Sequence, residues 1–199
     1  MGLVRTVAPL NPPVTVEEAK QHLSLVEKTH DALVSRLVEA ATECAEWTTW
    51  RALVTQTWRL TLHEFPCRLW VPRPPLQSVT SIQYVDTDGN LQTLDPSLYT
   101  IAADSQPAYI VPAYNQVWPA TRCQPEAVKV TFVAGYGSTG EDVPQRIRQA
   151  ILLIAGNWFA NRESVQVGAG AVSELPQSAR WLLEAFKTGV PAEWFLPGD

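Results

Sequence analysis

The spacing of apolar and polar positions changes twice along the chain, and the changes divide it into helix, strand and helix. From near His30 to about Trp50, the apolar residues Leu33, Leu37, Ala41, Cys44 and Trp47 recur every three or four positions. That spacing puts them on one face of a helix. Ahead of it, Thr15-Val16-Glu17-Glu18 has capping-box spacing, so a short helix is expected to about Val26. Thr57–His63 alternates apolar and polar residues strictly, the pattern of a half-buried strand. Pro72-Arg73-Pro74-Pro75 interrupts the alternation and Ser81–Tyr84 resumes it. Asp88-Gly89 supplies a turn before Leu91–Leu94. Weaker strand patterns follow at Tyr99–Ile101 and Tyr109–Val111, and a clear one at Val128–Phe132. Helical spacing returns after Asp142-Val143-Pro144, where Pro suits the first turn. Ile147, Ala150, Ile151, Ile154, Ala155, Trp158 and Phe159 form the stripe of what should be the longest core helix. Ser173-Glu174-Leu175-Pro176 opens a last helix with Leu182, Leu183 and Phe186 inward, ended by Gly189 and Pro191.

The predicted class is α+β: a helical bundle core, two helices before and two after, with an inserted antiparallel β-rich block. Antiparallel pairing follows from strands with one wet face. Residues 1–13, ending in Asn11-Pro12-Pro13, read as an extended N-terminal arm. Residues 14–52 form the first half of the helical core, 53–135 the β-rich insertion and 142–187 the second half. Residues 188–199 are left as a C-terminal tail.

Composition sharpens this picture. Of 199 residues, 46% are hydrophobic and only 18% charged, with 8 Trp and 16 Pro. A charge-poor, aromatic-rich surface tends to be covered by another polypeptide. An aromatic-rich core in a lone chain fits the same composition. The net charge of −5 leaves no basic footprint for tight binding to phosphate backbones. Three Cys at wide spacing fit neither a disulfide framework nor a zinc site, and point to folding in a reducing compartment. The N-terminus lacks a signal-peptide pattern and no apolar run reaches membrane-spanning length. A soluble chain made in a cytoplasm, with no membrane partner, is expected.

The candidate chemistry is thin. Gly135-Tyr136-Gly137-Ser138-Thr139-Gly140 matches G-x-G-x-x-G between a predicted strand and a helix. A dinucleotide site also needs a second parallel strand carrying an acid, and none follows. A nucleotide-binding enzyme using the Gly135–Gly140 turn is the rival reading; a plain turn is the favoured one. His22, His30 and His63 lack the i, i+4 spacing of a helical metal pair. No catalytic residue, cofactor or metal is expected. Arg146, Arg148, Arg162 and Glu163 bracket the long helix, either as a solvated face with a cation favoured at its C-terminus or as ion pairs between copies.

Leu69-Trp70-Val71-Pro72-Arg73-Pro74-Pro75-Leu76-Gln77-Ser78-Val79-Thr80-Ser81-Ile82 is similar to the proline-rich signature of tailed-phage head–tail connector (head-completion adaptor) proteins. Val14–Lys20, Asp95–Tyr99, Trp118-Pro119, Val128–Gly137, Val143-Pro144, Arg162-Glu163 and Leu175-Pro176 resemble that family's other landmarks, in the same order. The resemblance spans roughly residues 14–187. It implies a non-catalytic subunit that assembles under the portal protein as a homo-oligomeric ring, following the portal's twelvefold symmetry. The ring would extend the DNA channel and offer a platform to tail or stopper proteins. Another neck protein, a stopper or tail terminator, is the neighbouring alternative, expected to lack the flanking helical pairs. Viral DNA would pass through the lumen without tight binding. The expected place is the virion neck, after assembly in the host cytoplasm. The interface residues expected from the sequence itself are Arg148, Trp158, Arg162 and Glu163 near the long helix, and Trp194, Phe195 and Leu196 in the tail. The tail would either dock on a partner or fold back on the chain's own core.

Overall fold

The computed structural model describes residues 1–26, 30–161 and 175–189. The class is mixed α+β, with two antiparallel sheets and a pair of helices on either side of the β block in sequence. Two compact units result. One comprises Met1–Pro9, Trp50–Tyr136 and the described residues from Thr188 on; the other comprises Leu10–Thr49 and Gly137–Lys187.

The strands of the first unit are β1 (Gly2–Val7), β2 (Gln56–Leu62), β3 (Leu69–Val71), β4 (Leu76–Val85), β5 (Leu91–Thr93), β6 (Tyr99–Ala102), β7 (Ala108–Pro112) and β8 (Val128–Ala134). One sheet has the order β1-β2-β8-β4-β5 and the other β3-β7-β6. Strand β8 is central because its alternation is complete: Val128, Val130, Phe132 and Ala134 are buried while Lys129, Thr131 and Val133 are not. Its register with β2 sets Phe132 opposite Trp58 and Val130 opposite Leu60, and β4 brings Ile82 to Val130. These residues share one core with Leu69, Val71, Ala108 and Ile110 of the smaller sheet. Each large apolar side chain buried there contributes roughly 1.5–3 kcal/mol. Strand β4 keeps its register only through shifts between Leu76 and Ser78 and between Val79 and Ser81, the mark of β-bulges.

Of the segment expected as an extended arm, Gly2–Val7 is a paired strand. Gly2–Val7 lies antiparallel to β2 as the sheet's edge, with a register shift between Arg5 and Val7. Leu3, opposite Leu60, packs against the core. The Asp88-Gly89 turn closes the β4–β5 hairpin, with Gly89 at φ +91°. The Asp86 carboxylate accepts hydrogen bonds from the Asp88 and Asn90 amides and from Gln92 Nε2.

The second unit contains α1 (Val16–His22), α2 (Asp31–Thr49), α3 (Gln145–Ala160) and α4 (Gln177–Glu184). The capping box forms as expected: Thr15 Oγ1 accepts from the Glu18 amide at 3.2 Å and Glu18 Oε2 accepts from the Thr15 amide at 2.9 Å. Helix α1 stops at His22, short of Val26. Ser24 at φ +56° turns the chain, and the Leu25 amide donates to the Lys20 carbonyl, a left-handed helix ending.

On α2 the buried stripe is Val34, Val38, Ala41 and Ala45, which keeps Ala41 of the expected stripe and otherwise runs one residue around from it. Leu33, Leu37 and Cys44 are half-buried, and Trp47 is 70% exposed. Both stripes have helical spacing. The smaller one faces in because α2 packs on α3, where slim side chains let two helix axes approach closely. The α3 stripe is as expected in Ile147, Ala150, Ile151, Ile154 and Ala155, with Trp158 and Phe159 half-buried. At 16 residues α3 is shorter than α2 at 19, against the expected ranking. Helix α4 buries Ala179 and Leu183 and packs against α3. Among the described residues no helix is long and apolar enough to cross a membrane.

Candidate assembly surfaces

In the β unit, the proline-rich segment joining β3 to β4 is scaffolding. Arg73 takes φ +60° and is buried, its guanidinium 4.2 Å from the Trp50 ring centroid and 5.3 Å from that of Trp58. Such cation–π stacking needs a planar, weakly hydrated cation, which Arg supplies better than Lys. The Ala52 amide donates to the Pro74 carbonyl (3.2 Å) and the Gly135 amide to that of Pro75 (2.9 Å). Gln77 Nε2 donates to Thr55 Oγ1 and to the Gly135 carbonyl, both at 2.8 Å. The segment thus ties the ends of β2, β4 and β8 together.

The glycine turn follows β8, which is antiparallel to both of its neighbours, so no parallel Rossmann strand frames it. Gly135, at φ +136°, lies so close to Val54 that a Cβ would sit 2.6 Å from the Val54 carbonyl carbon. In the helical unit, the Asp142 carboxylate accepts from the Thr139 amide (2.9 Å) and from Thr139 Oγ1 (2.8 Å). Those bonds, the backbone one foremost, hold the Asp142 carboxyl below its usual range. The side chain also stands beside Gly137. A phosphate seated on this turn needs free amides, and a carboxylate of the chain itself already takes one.

Exposed apolar and aromatic groups mark the surface of the β unit. Tyr114 and Val117 are 92% and 85% exposed on the loop after β7. The loop is well anchored beneath them. Trp118 stacks on Phe65 (centroids 4.7 Å apart, planes 7° apart), Phe65 meets Tyr84 edge-on, and the Ala113 amide donates to the Leu98 carbonyl. Val4 and Val7 on β1 are each about half exposed, as is Leu91 on β5. On β3 and β7, Arg68 lies 4.5 Å from the Tyr109 ring centroid and 5.2 Å from that of Trp70.

In the helical unit, Arg148 is committed within its own chain. Its Nε donates to the Pro13 carbonyl (3.1 Å), Nη1 to Gln145 Oε1 (3.1 Å), and Nη2 pairs with Glu18. Burial would raise the Glu18 carboxyl, but the Thr15 amide and the Arg148 guanidinium together hold it below its ordinary value. Trp158 is half-buried on α3 and Arg146 is exposed. Arg162, Glu163, Trp194, Phe195 and Leu196 lie outside the described residues. Helical spacing predicts Trp47 inward and marks no role for Trp181, yet Trp47 is exposed and Trp181 is 78% exposed on α4. Trp181 adjoins the half-buried Leu182 and buried Leu183, and its position around the helix was the available signal. Cys67 and Cys123 are exposed free thiols, and half-burial pushes the Cys44 thiol up. Among the described residues no group of three or more His, Cys, Asp or Glu is placed to hold a metal.

No protein-family model matches the chain, and no curated protein matches it in sequence. Solved structures do. A chain from the neck of an empty gene transfer agent (GTA) particle, computed with C6 symmetry, is 24% identical with a TM-score of 0.79, covering 96% of this chain and 97% of that one. A chain from the virion of a native GTA particle is 23% identical with a TM-score of 0.78, at the same coverage. A chain from the neck of a native GTA particle, computed with C12 symmetry, is 23% identical with a TM-score of 0.75, again at 96% and 97%. Over nearly its whole length, then, this chain has the fold of proteins found in the necks of gene transfer agent particles.

Proposed function

We propose that the protein is a structural, non-catalytic subunit of the neck of a phage-like particle: a head–tail connector that assembles as a ring under the portal, extends the DNA channel and provides the docking platform for tail or stopper proteins. One observation carries the reading. The fold matches chains of GTA necks end to end, on a chain whose sequence landmarks resemble the connector family in their order. The C6 and C12 symmetries of those necks accord with a ring. The helical pairs on either side of the β block favour the connector over a stopper or tail terminator.

In this reading the half-buried face of α3 around Trp158, the Arg162-Glu163 pair and the tail residues Trp194, Phe195 and Leu196 meet neighbouring copies or the portal. The Trp194 and Phe195 rings can each bury ~150–250 Å², and repetition around a ring makes modest contacts collectively tenacious. The acidic balance of the chain lets DNA slide, whereas a basic lumen would grip it by counterion release. The test is to add the purified protein to portal-bearing, DNA-filled heads. Stable, stoichiometric addition of a ring at the portal vertex is expected. Failure to bind, or tight duplex binding at physiological salt, counts against the reading.

A further inference from the structure

Strand β1 is the edge of the five-stranded sheet and, among the described residues, pairs with β2 alone. The far side of such a strand carries backbone amides and carbonyls on which an extended segment can pair. The register sorts the side chains between two faces. Leu3 and Arg5, opposite Leu60 and Trp58, share the face of the core, while Val4, opposite Arg59, lies on the outward one. Leu3 is only partly buried, and Val4 and Arg5 are exposed. Neither β1 nor β2 carries an acid. A charge on the core side of an edge strand keeps it from pairing indiscriminately. By the same physics, Arg5 selects a strand that brings an acid to its own position.

The chain's own tail contains such a segment. Ala192-Glu193-Trp194-Phe195-Leu196, outside the described residues, stands between Pro191 and Pro197. Proline cannot donate to a ladder, so the two limit a strand here to five residues, about 17 Å. Strand β1 has 6 residues. Trp and Phe favour strands, and Glu193 is the segment's acid. In one antiparallel alignment Glu193 falls opposite Arg5, Trp194 opposite Val4 and Phe195 opposite Leu3. That gives an ion pair and two apolar pairs at once, the cross-strand pairs that stabilise sheets. A slip of one residue moves Glu193 to the face away from Arg5. A parallel alignment that keeps Glu193 at Arg5 carries Trp194 and Phe195 to Thr6 and Val7, across the register shift of β1. We propose that residues 192–196 of one copy add antiparallel to β1 of the neighbouring copy, as a further strand of its sheet. A head-to-tail contact joins two different surfaces, and tail and edge are such a pair. Repeated around a ring, the exchange leaves no β1 edge open. The contact rests on the ring reading above and names the surfaces that join its copies.

The experiment combines cross-linking and sedimentation velocity on the full chain, with each variant checked for an unchanged circular dichroism spectrum. Residues directly opposite on antiparallel strands lie within disulfide reach. With diamide as oxidant, Arg5→Cys combined with Glu193→Cys is expected to give a ladder of covalently joined chains on non-reducing gels. Each single variant sets the background from the exposed Cys67 and Cys123. A ladder no stronger than that background, or a cross-link confined within single chains, overturns the exchange. The second measurement needs no new thiol. Wild-type protein is expected to form species larger than a dimer as concentration rises. Arg5→Glu and Glu193→Arg should each weaken that association about threefold to tenfold, and the two together should restore it. Single variants that assemble like wild type, or a double variant no better than the singles, overturn the contact. So does a wild-type chain still monomeric at ~1 mM, the weak end of measurable association. Addition to portal-bearing heads is read separately, so variants that add as wild type does while failing these tests leave the connector reading standing and remove only this contact.

Discussion

Gly135 in the β unit and Arg148 in the helical unit each fix structure within their own unit. At Gly135 both the left-handed φ and the closeness of Val54 exclude a side chain. Gly135→Ala is therefore expected to destabilise the protein by more than ~1 kcal/mol, read as a lower urea midpoint at unchanged slope. Arg148 gathers the Pro13 carbonyl and the Glu18 carboxylate at the start of α1. Because Glu18 is partly exposed, the pair is worth less than a buried one. Arg148→Ala should cost ~1 kcal/mol by loss of charge-assisted bonds. The pH dependence has a definite sign. The Glu18 carboxyl is lowered in the folded chain, so its contribution is present above its unfolded pKa and is lost as pH falls through the folded one. In Arg148→Ala, thermal unfolding between neutral pH and the carboxylate range should vary less with pH than in wild type. An equal or steeper dependence would show that the pair does not act this way.

At the scale of elements, α2 is the instructive case. Its two candidate stripes differ by one residue, and periodicity alone does not choose between them. The choice comes from the neighbour: Val34, Val38 and Ala45 are buried beside the shared Ala41 in a unit where α2 packs on α3, while the large Trp47 is left outside. Ala45→Leu should overpack this contact and cost ~1–3 kcal/mol, whereas Trp47→Gln should stay within ~0.5 kcal/mol. Chemical denaturation of the two variants separates the stripes, and the reverse order would reinstate the expected one. The strands were far more legible. Thr57–His63, Ser81–Tyr84 and Val128–Phe132 announce β2, β4 and β8, because a period of two on a half-buried sheet leaves no freedom of face. Strand β1 was legible only as extended chain. Its pairing is non-local, with Leu3 matched to Leu60, and nothing in the first thirteen residues names that partner. The bulges of β4 were hidden for the same reason. Among the expected interface residues, Arg148 reads in the sequence as part of a solvated face or of an ion pair between copies, because its acceptors within the chain, Pro13 and Glu18, are more than a hundred residues away. Tyr114 and Val117 were passed over because the Trp118–Phe65 stack that steadies their loop is a tertiary fact.

At the scale of the whole molecule, the likeness to chains of GTA particles is one of fold, and the connector role proposed above is tested at the tail. If the tail docks on the portal, removing residues 190–199 should weaken addition to portal-bearing heads severalfold while leaving the melting temperature of the lone chain nearly unchanged. A tail that instead covers its own core would show the opposite: a lowered melting temperature and unaltered addition. Both quantities come from the same truncated protein, so the two arrangements are separable in one preparation.

The outward indoles of Trp47 and Trp181 give this protein a native optical reporter. In the lone chain they face water and add red-shifted, iodide-quenchable emission, while Trp58, enclosed in the β unit, is shielded from the quencher. A partner that covers the helical unit should move the spectrum to the blue and protect that fraction from iodide. The half-buried Trp70 and Trp118 of the β unit also respond to a partner, so the change is assigned to the helical unit only where Trp47→Phe with Trp181→Phe abolishes it.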